Sequence, residues 1–334
     1  MTRRAVALWL VGLTAAAVYP VVLSRVLANP GYVFHLTVLW GVYALLAQSN
    51  NIVTGLAGQL SIGQAAFFGI GAYVSSLLAL RFGLSFWVLL GVAGLAAALV
   101  GILIALPLLR LRGIYFGLAT LAFGEIVFVV AENWDPVTGG YVGVRNIPPA
   151  TLGAYTFAGP VPYYYLVVVL NLGLLVVVRQ LRVSQIGRVL FALREDHIAA
   201  EAIGIDGTRY RILAFGLSSL VAGVAGSFFA HYATYIAPTN FTTTESIAIL
   251  TMMILGGMGT TLGPIVGSGL LTLLPEFLRI VASYRIVLYG LLLVLFALFR
   301  PQGIVGTKRP GARPAPFGPG GIAGTREPYA ASRA

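Results

Sequence analysis

Polar residues are missing from long stretches of this chain and crowded into a few short ones. Six apolar runs, Ala5–Ala28, Ser85–Leu108, Ile114–Ala131, Tyr163–Val178, Ile212–Tyr232 and Ile286–Phe299, carry at most one formal charge each. A helix needs about 20 mostly apolar residues to cross the hydrocarbon of a bilayer, and these runs read as six membrane spans. The first follows "MTRR" and has small residues near Ala17, as a signal peptide would. Its apolar stretch continues to Ala28, so it reads as a retained helix.

Two further regions need an argument. Between Arg25 and Arg81 nothing is formally charged unless His35 is protonated, and the stretch is too long for one helix. The glycine-rich "TGLAGQLSIGQ" (Thr54–Gln64) sits in its middle, so two spans joined by a tight hairpin are expected. Ile247–Pro275 is also free of charge, and reads either as one long helix or as two short ones folded at "GGMGTTLGP" (Gly256–Pro264). Lys and Arg accumulate on cytoplasmic ends of spans, which decides between the two. With the fold there are ten spans and both termini are cytoplasmic. Sixteen of the twenty-one basic residues then lie inside, leaving Arg25, Arg81, Arg145, Arg279 and Arg285 outside. A single long helix would place the basic tail outside.

The expected fold is therefore an all-α membrane protein, a polytopic bundle of about ten transmembrane helices over residues 1–300. It carries an external loop at 133–161, expected to pack as a small cap, and a cytoplasmic loop at 182–209. Residues 301–334 are rich in Pro, Gly and Ala and cannot bury enough apolar surface to offset the entropy of ordering. They are expected to form a disordered cytoplasmic tail.

Composition agrees: 58% of the residues are hydrophobic and 9% charged, against about 25% charged in soluble domains. A net charge of +11 would suggest nucleic acid in a soluble protein. Here the distribution of basic residues across the membrane accounts for it, so lipid is the expected surrounding and nucleic acid is not. The absence of cysteine excludes disulfides, thiolate metal sites and a thiol nucleophile. His35, His197 and His231 fall in three separate segments, with no metal-ligand spacing. No cofactor, metal or catalytic residue is expected.

The charge that the spans lack gathers in residues 179–211, which hold ten of the thirty-one charged residues, four of them acids. "REDHIAAEAI" reads as a short helix, with Glu195 and Asp196 near its start and Gly204 as its stop. "SQIGRVLFA" reads as a second segment beginning after Gly187. At 100° per residue Arg188 and Glu195 face one way while Arg194 and Glu201 face another, about 120° round, so a helix–turn–helix knob fits better than one straight helix. Topology explains the arginines, but it does not require four interleaved acids. Mixed charge on a rigid knob suits docking to a protein.

"GRVLFALREDHIAAEAIGIDGTRYRILAF" resembles the cytoplasmic coupling segment of permease subunits in bacterial ABC importers of the branched-chain amino acid type. "GLAGQLSIGQAAFFGIGAY" (Gly55–Tyr73), "LRGIYFGLATLAFGEI" (Leu111–Ile126), "ILGGMGTTLGPIVG" (Ile254–Gly267) and "TGGYVGV" in the external loop are similar to the same family. The likeness covers about residues 35 to 300, and the Leu111–Ile126 stretch favours the LivM-type over the LivH-type subunit. It implies a bundle similar to the larger, type II-like importer permeases, set in the bacterial inner membrane. It also implies cytoplasmic ATPase subunits, a LivH-type second permease and an extracytoplasmic solute-binding protein as partners. Gly187, Arg188, Arg194, Glu195, Asp196, Glu201 and Gly204 would then form the ATPase-coupling knob. The chain has no P-loop pattern and its only lysine is Lys308, so the ATPase is expected on another polypeptide.

A path for a polar solute needs polar or irregular groups buried in protein or lining water. Gln59, Ser61 and Gln64 lie beside glycines in the first interruption, and Gly256–Pro264 supplies a second; paired interruptions point to transport sites. Small residues at helix contacts are also common in any bundle, so a packing role stays open. Glu125 is the one carboxylate read inside a span, suited either to fixing the bundle or to lining the path, with Tyr115 and Thr120 on the same span. A secondary transporter would be expected to carry several such acids, and a membrane enzyme a catalytic cluster. The expected solute is a branched-chain amino acid, with urea, short amides and aromatic acids left open by the same family.

Overall fold

The computed structural model describes residues 30–277 except 112 and 154, together with 294 and 303–306. The spans expected at Ala5–Ala28 and Ile286–Phe299, and the tail from Lys308, lie outside the described residues. In chain order the helices are α1 (Pro30–Asn50), α2 (Gln64–Phe82), α3 (Phe86–Leu108), α4 (Ile114–Asn133), α5 (Asp135–Thr138), α6 (Pro160–Val183), α7 (Gln185–Glu195), α8 (His197–Ala202), α9 (Gly207–Ala233), α10 (Thr243–Gly257) and α11 (Gly263–Phe277). A π-helical turn, Asn51–Leu56, extends α1. Two short strands, β1 (Thr151–Leu152) and β2 (Tyr155–Thr156), pair antiparallel.

Six helices among the described residues are long and apolar enough to cross a membrane: α1 with its π turn, α2, α3, α4, α6 and α9. α10 has 15 residues, about 22 Å of helix against ~30 Å of hydrocarbon, and α11 is described over Gly263–Phe277. They fold back on each other at Met258–Leu262, as the glycine-rich stretch suggested. Their contact is close because a side chain on Gly256 would overlap the Gly263 carbonyl, and one on Gly267 the Met252 carbonyl.

The expected tight hairpin at Thr54–Gln64 is a different object. Helical structure ends at Leu56, residues 57–63 run without regular structure, and α1 and α2 scarcely touch. Both pack on α9 instead. Gly71 faces Gly223, and Gly226 faces the Phe68 carbonyl, so closely that a Cβ at either position would collide with backbone. In lipid, where side chains gain nothing by leaving water, close approach of this kind supplies much of the dispersion energy that holds helices together.

The helix starts are of two kinds. α7, α8 and α9 start with side-chain caps: Ser184 accepts from Gly187 N, Asp196 from Ile198 N and Ala199 N, and Asp206 from Arg209 N. Arg209 also pairs with Asp206 at 2.7 Å. α2, α3 and α4 have no such cap. At the opposite end of the bundle the loop after α4 folds onto the ends of α3 and α9. Val144 bridges Ile236, the Trp87 indole donates to Thr151 O at 3.0 Å, and Tyr163 OH donates to His231 O at 2.8 Å. His231 Nδ1 lies 2.6 Å from the Pro148 carbonyl and so carries the proton there, leaving Nε2 to accept from Ser75 at 3.0 Å.

Candidate functional site

Two features stand out against the apolar bundle, and they are joined. One is the knob formed by α7 and α8. The helix–turn–helix expected from the charge pattern is present, but its break falls at Asp196, so Arg194 and Glu195 end α7 where a start of α8 was expected. Gly204 follows α8 with φ +85, a conformation that suits glycine. Gly187 is buried because a side chain there would overlap the Leu181 carbonyl. Arg188, Glu195, Asp196 and Glu201 are exposed. Arg194 is half-buried, and its guanidinium donates to the Gly55 carbonyl at the end of the π turn.

The second feature is a layer of buried polar side chains around the non-helical residues 57–63. Gln64, in the first turn of α2, donates to Ser49 Oγ of α1 and, at 3.3 Å, to Ser218 Oγ of α9. Ser49 Oγ donates to Ser218 O at 2.6 Å, and Ser218 Oγ returns a bond to Ser49 O at 2.8 Å. Thr54 donates to Asn50 Oδ1 at 3.0 Å and accepts from Ser61 N at 3.2 Å. Thr120 of α4 accepts from Ile62 N at 3.0 Å, and Ser246 of α10 accepts from Ala65 N at 3.0 Å. Gln59 Oε1, Ser61 Oγ, Asn50 Nδ2 and Gln48 Oε1 are buried and have no protein hydrogen-bond partner. Such atoms cost roughly 1–3 kcal/mol each when left unmatched, which makes this layer the most polar demand inside the bundle.

Gln59, Ser61, Gln64 and Thr120 all lie in or beside this layer, while Tyr115 and Glu125 do not join them. Tyr115 is 68% exposed at the knob end of α4. Glu125 lies on the outer face of α4 in this chain, beside exposed Leu118, Ile126 and Val129. It accepts from Thr243 Oγ1 at 2.7 Å, which ties α4 to the start of α10.

Several residues of the layer were not singled out from the sequence: Asn50, Asn51, Asn171, Ser218, Ser246 and Glu245. Gln48 donates to Asn171 Oδ1 at 2.9 Å, and Tyr43 OH donates to Glu245 Oε2 at 3.0 Å. Glu125 is thus not the only carboxylate within the helices. The run "QSNN" (Gln48–Asn51) inside a charge-free apolar stretch was an available signal. Glu245, behind three threonines, looks in sequence like an ordinary first-turn acid.

A family model described as branched-chain amino acid transport system / permease component matches residues 32–297. The high-affinity branched-chain amino acid transport system permease protein LivM of Salmonella typhimurium is 38% identical over 293 residues, covering 80% of this chain and 69% of the relative. LivM of Escherichia coli is 37% identical over 328 residues, covering 91% and 76%. LivH of Escherichia coli is 28% identical over 295 residues, covering 82% and 94%. No solved structure matches this chain.

Proposed function

Because the chain belongs to the branched-chain amino acid transport permease family, we propose that it is the LivM-type subunit through which branched-chain amino acids enter the cell. It is a multi-pass membrane permease of an ABC importer and not itself an enzyme. The observation that carries the finer reading is the join between a charged, side-chain-capped knob and a polar break in the bundle. ATPase subunits dock on the exposed charges Arg188, Glu195, Asp196 and Glu201, with Gly187 and Gly204 shaping the knob. The solute passes the layer of Gln59, Ser61, Gln64 and Thr120.

Glu125 fixes where the second permease sits. A carboxylate facing lipid at this depth costs ~2.5–3.5 kcal/mol even on insertion scales. The exposed face of α4 that carries Tyr115 and Glu125 is therefore covered by a LivH-type partner or by the water of the path between the two. The topology has ten spans, with both termini cytoplasmic and the knob inside, set in the inner membrane. The loop at 133–161 then faces the extracytoplasmic binding protein, whose own pocket does most of the selecting between branched-chain amino acids and urea, amides or aromatic acids.

The test is reconstitution of this chain with its ATPase subunits, second permease and binding protein in vesicles. Leucine uptake should require ATP and the binding protein. Uptake that proceeds without ATP and follows an imposed ion gradient would make the chain a secondary transporter instead.

A further inference from the structure

The knob holds the bundle through Arg194, and the grip falls where four distant parts of the chain meet. The π turn presents the Gly55 carbonyl, one of the terminal acceptors that a helix end leaves without an intrahelical donor. Arg194 Nη1 donates to it, and Nη2 lies 3.7 Å from Met258 Sδ in the α10–α11 turn. A cation suits the negative end of the α1 dipole. Gly58 (φ +72) leaves room for the Arg194 stem, and a Cβ on Gly259 would come 2.7 Å from its Nη1.

Asn51, fully buried, clamps the same turn: Nδ2 donates to Thr260 O at 2.8 Å and Oδ1 accepts from Gly259 N at 2.7 Å. Arg182 Nη1 donates to Thr261 Oγ1 at 2.7 Å, so the end of α6 joins as well. Ile304 N and Val305 N donate to Leu255 O and Gly256 O at 2.9 and 3.0 Å. Knob, π turn and α10–α11 turn are thus bonded into one body, and residues 57–63 leave that body directly into the polar layer.

We propose that Arg194 is a positioning residue of the transport cycle, which passes motion of the knob to the polar break and to the α10–α11 hairpin together. The inference rests on the reading that a bound ATPase moves the knob. Packed junctions of this kind shift between discrete arrangements and do not deform smoothly, so a displacement of α7 by a few ångströms has to move Gly55 and the turn with it or break the bonds. Arg194 then differs in role from its neighbours Glu195 and Asp196: they meet the motor, and it meets the bundle.

The experiment uses the complete transporter in vesicles with Ile62→Cys as a reporter, since this chain has no cysteine of its own. Maleimide labelling at that position is followed by mass spectrometry with and without ATP trapped by vanadate. Arg194→Met keeps the stem and removes the donors. It should retain the ATPase at wild-type stoichiometry, lower uptake on the order of tenfold, within the usual range of coupling between sites, and flatten the nucleotide-dependent change in labelling. Arg194→Lys keeps one donor and should restore much of both. Asn51→Ser opens the same junction from a buried position that an ATPase cannot touch, and should reproduce the loss of coupling even if Arg194→Met fails to fold.

Uptake and nucleotide-dependent labelling that persist in the folded variants would overturn the inference alone. ATPase lost from the Arg194→Met complex would overturn it too, by making Arg194 a docking charge. A wild-type complex that holds no ATPase would overturn the proposed function and this inference with it.

Discussion

Gln64→Leu separates a transport role for the polar layer from a packing role, because the structure limits what the change can cost in stability. Gln64 is 1% exposed and its amide donates to Ser49 Oγ and Ser218 Oγ. Both hydroxyls already place their own protons elsewhere, on Ser218 O and Ser49 O. Leucine therefore strands no donor; it removes two accepted bonds, one of them long at 3.3 Å, and a 3.5 Å contact from Ser218 Oγ to Gln64 Oε1 that is secondary to its 2.8 Å bond to Ser49 O. At about 0.5–1.5 kcal/mol net per bond the loss is about 1–3 kcal/mol, offset in part because an amide no longer has to be buried. Gln64→Ala removes volume as well and should cost about 2 kcal/mol or more beyond that.

If the Gln64 amide also holds a passing solute, losing that bond inside a buried path costs ~1–3 kcal/mol, a fall of roughly 5- to 150-fold in uptake. The assay pairs two measurements on the same cells: ATP-driven uptake of labelled leucine in a strain lacking the native copy, and thermal stability of the detergent-extracted permease by size exclusion. The expected result for Leu is a small shift in midpoint with a large loss of uptake. Wild-type uptake in a folded Gln64→Leu protein would refute the assignment of this layer to the path. Loss of uptake in proportion to loss of folded protein would reduce it to packing.

Three further outcomes are expected. Glu125→Gln keeps an acceptor for Thr243 and should retain most uptake; Glu125→Ala, on an exposed face, should leave the amount of folded chain unchanged and weaken co-purification of the second permease, and a loss of folded chain in Ala would make Glu125 a bundle-fixing residue. Glu195→Lys with Glu201→Lys alters exposed charges that cap no helix, so the permease should fold normally while ATPase retention in pull-down falls severalfold; full retention would move the docking surface off the knob. Cysteines at Ile203 and Ala312 should resist an impermeant maleimide in cells with a permeabilised outer membrane while one at Tyr155 reacts, and equal labelling of all three would overturn the ten-span orientation.

Much of the architecture is legible in the sequence because lipid makes the rules local. Apolar runs of helical length with at most one formal charge mark α3, α4, α6 and α9 to within about five residues, since an unpaired charge or an open backbone bond is costly wherever it meets hydrocarbon. The knob is legible for the converse reason: only a segment in water holds ten charges in thirty-three residues and starts its helices with Ser184, Asp196 and Asp206. Glycines in "GGMGTTLGP" mark the α10–α11 turn because a chain that doubles back at contact distance has no room for side chains.

The directions in which side chains face were decided by the tertiary structure. A helix with lipid on one side and protein on the other is apolar all round, so periodicity does not say which face packs. Nothing in the order of residues places Gln64 against Ser49 and Ser218, or brings Ser246 to the start of α2, because those bonds join segments up to 181 residues apart. Glu125 reads as buried from its position in a span, yet it faces outward because α4 packs on Leu60, Ile62 and Gly63 through Gly117, Thr120 and Gly124 instead. Arg194 reads as one more surface charge until Gly55, Gly58 and Gly259 converge and leave room for a guanidinium among them. Composition fixes which residues must leave water; only the packing of helices against helices decides which of the polar residues among them meet.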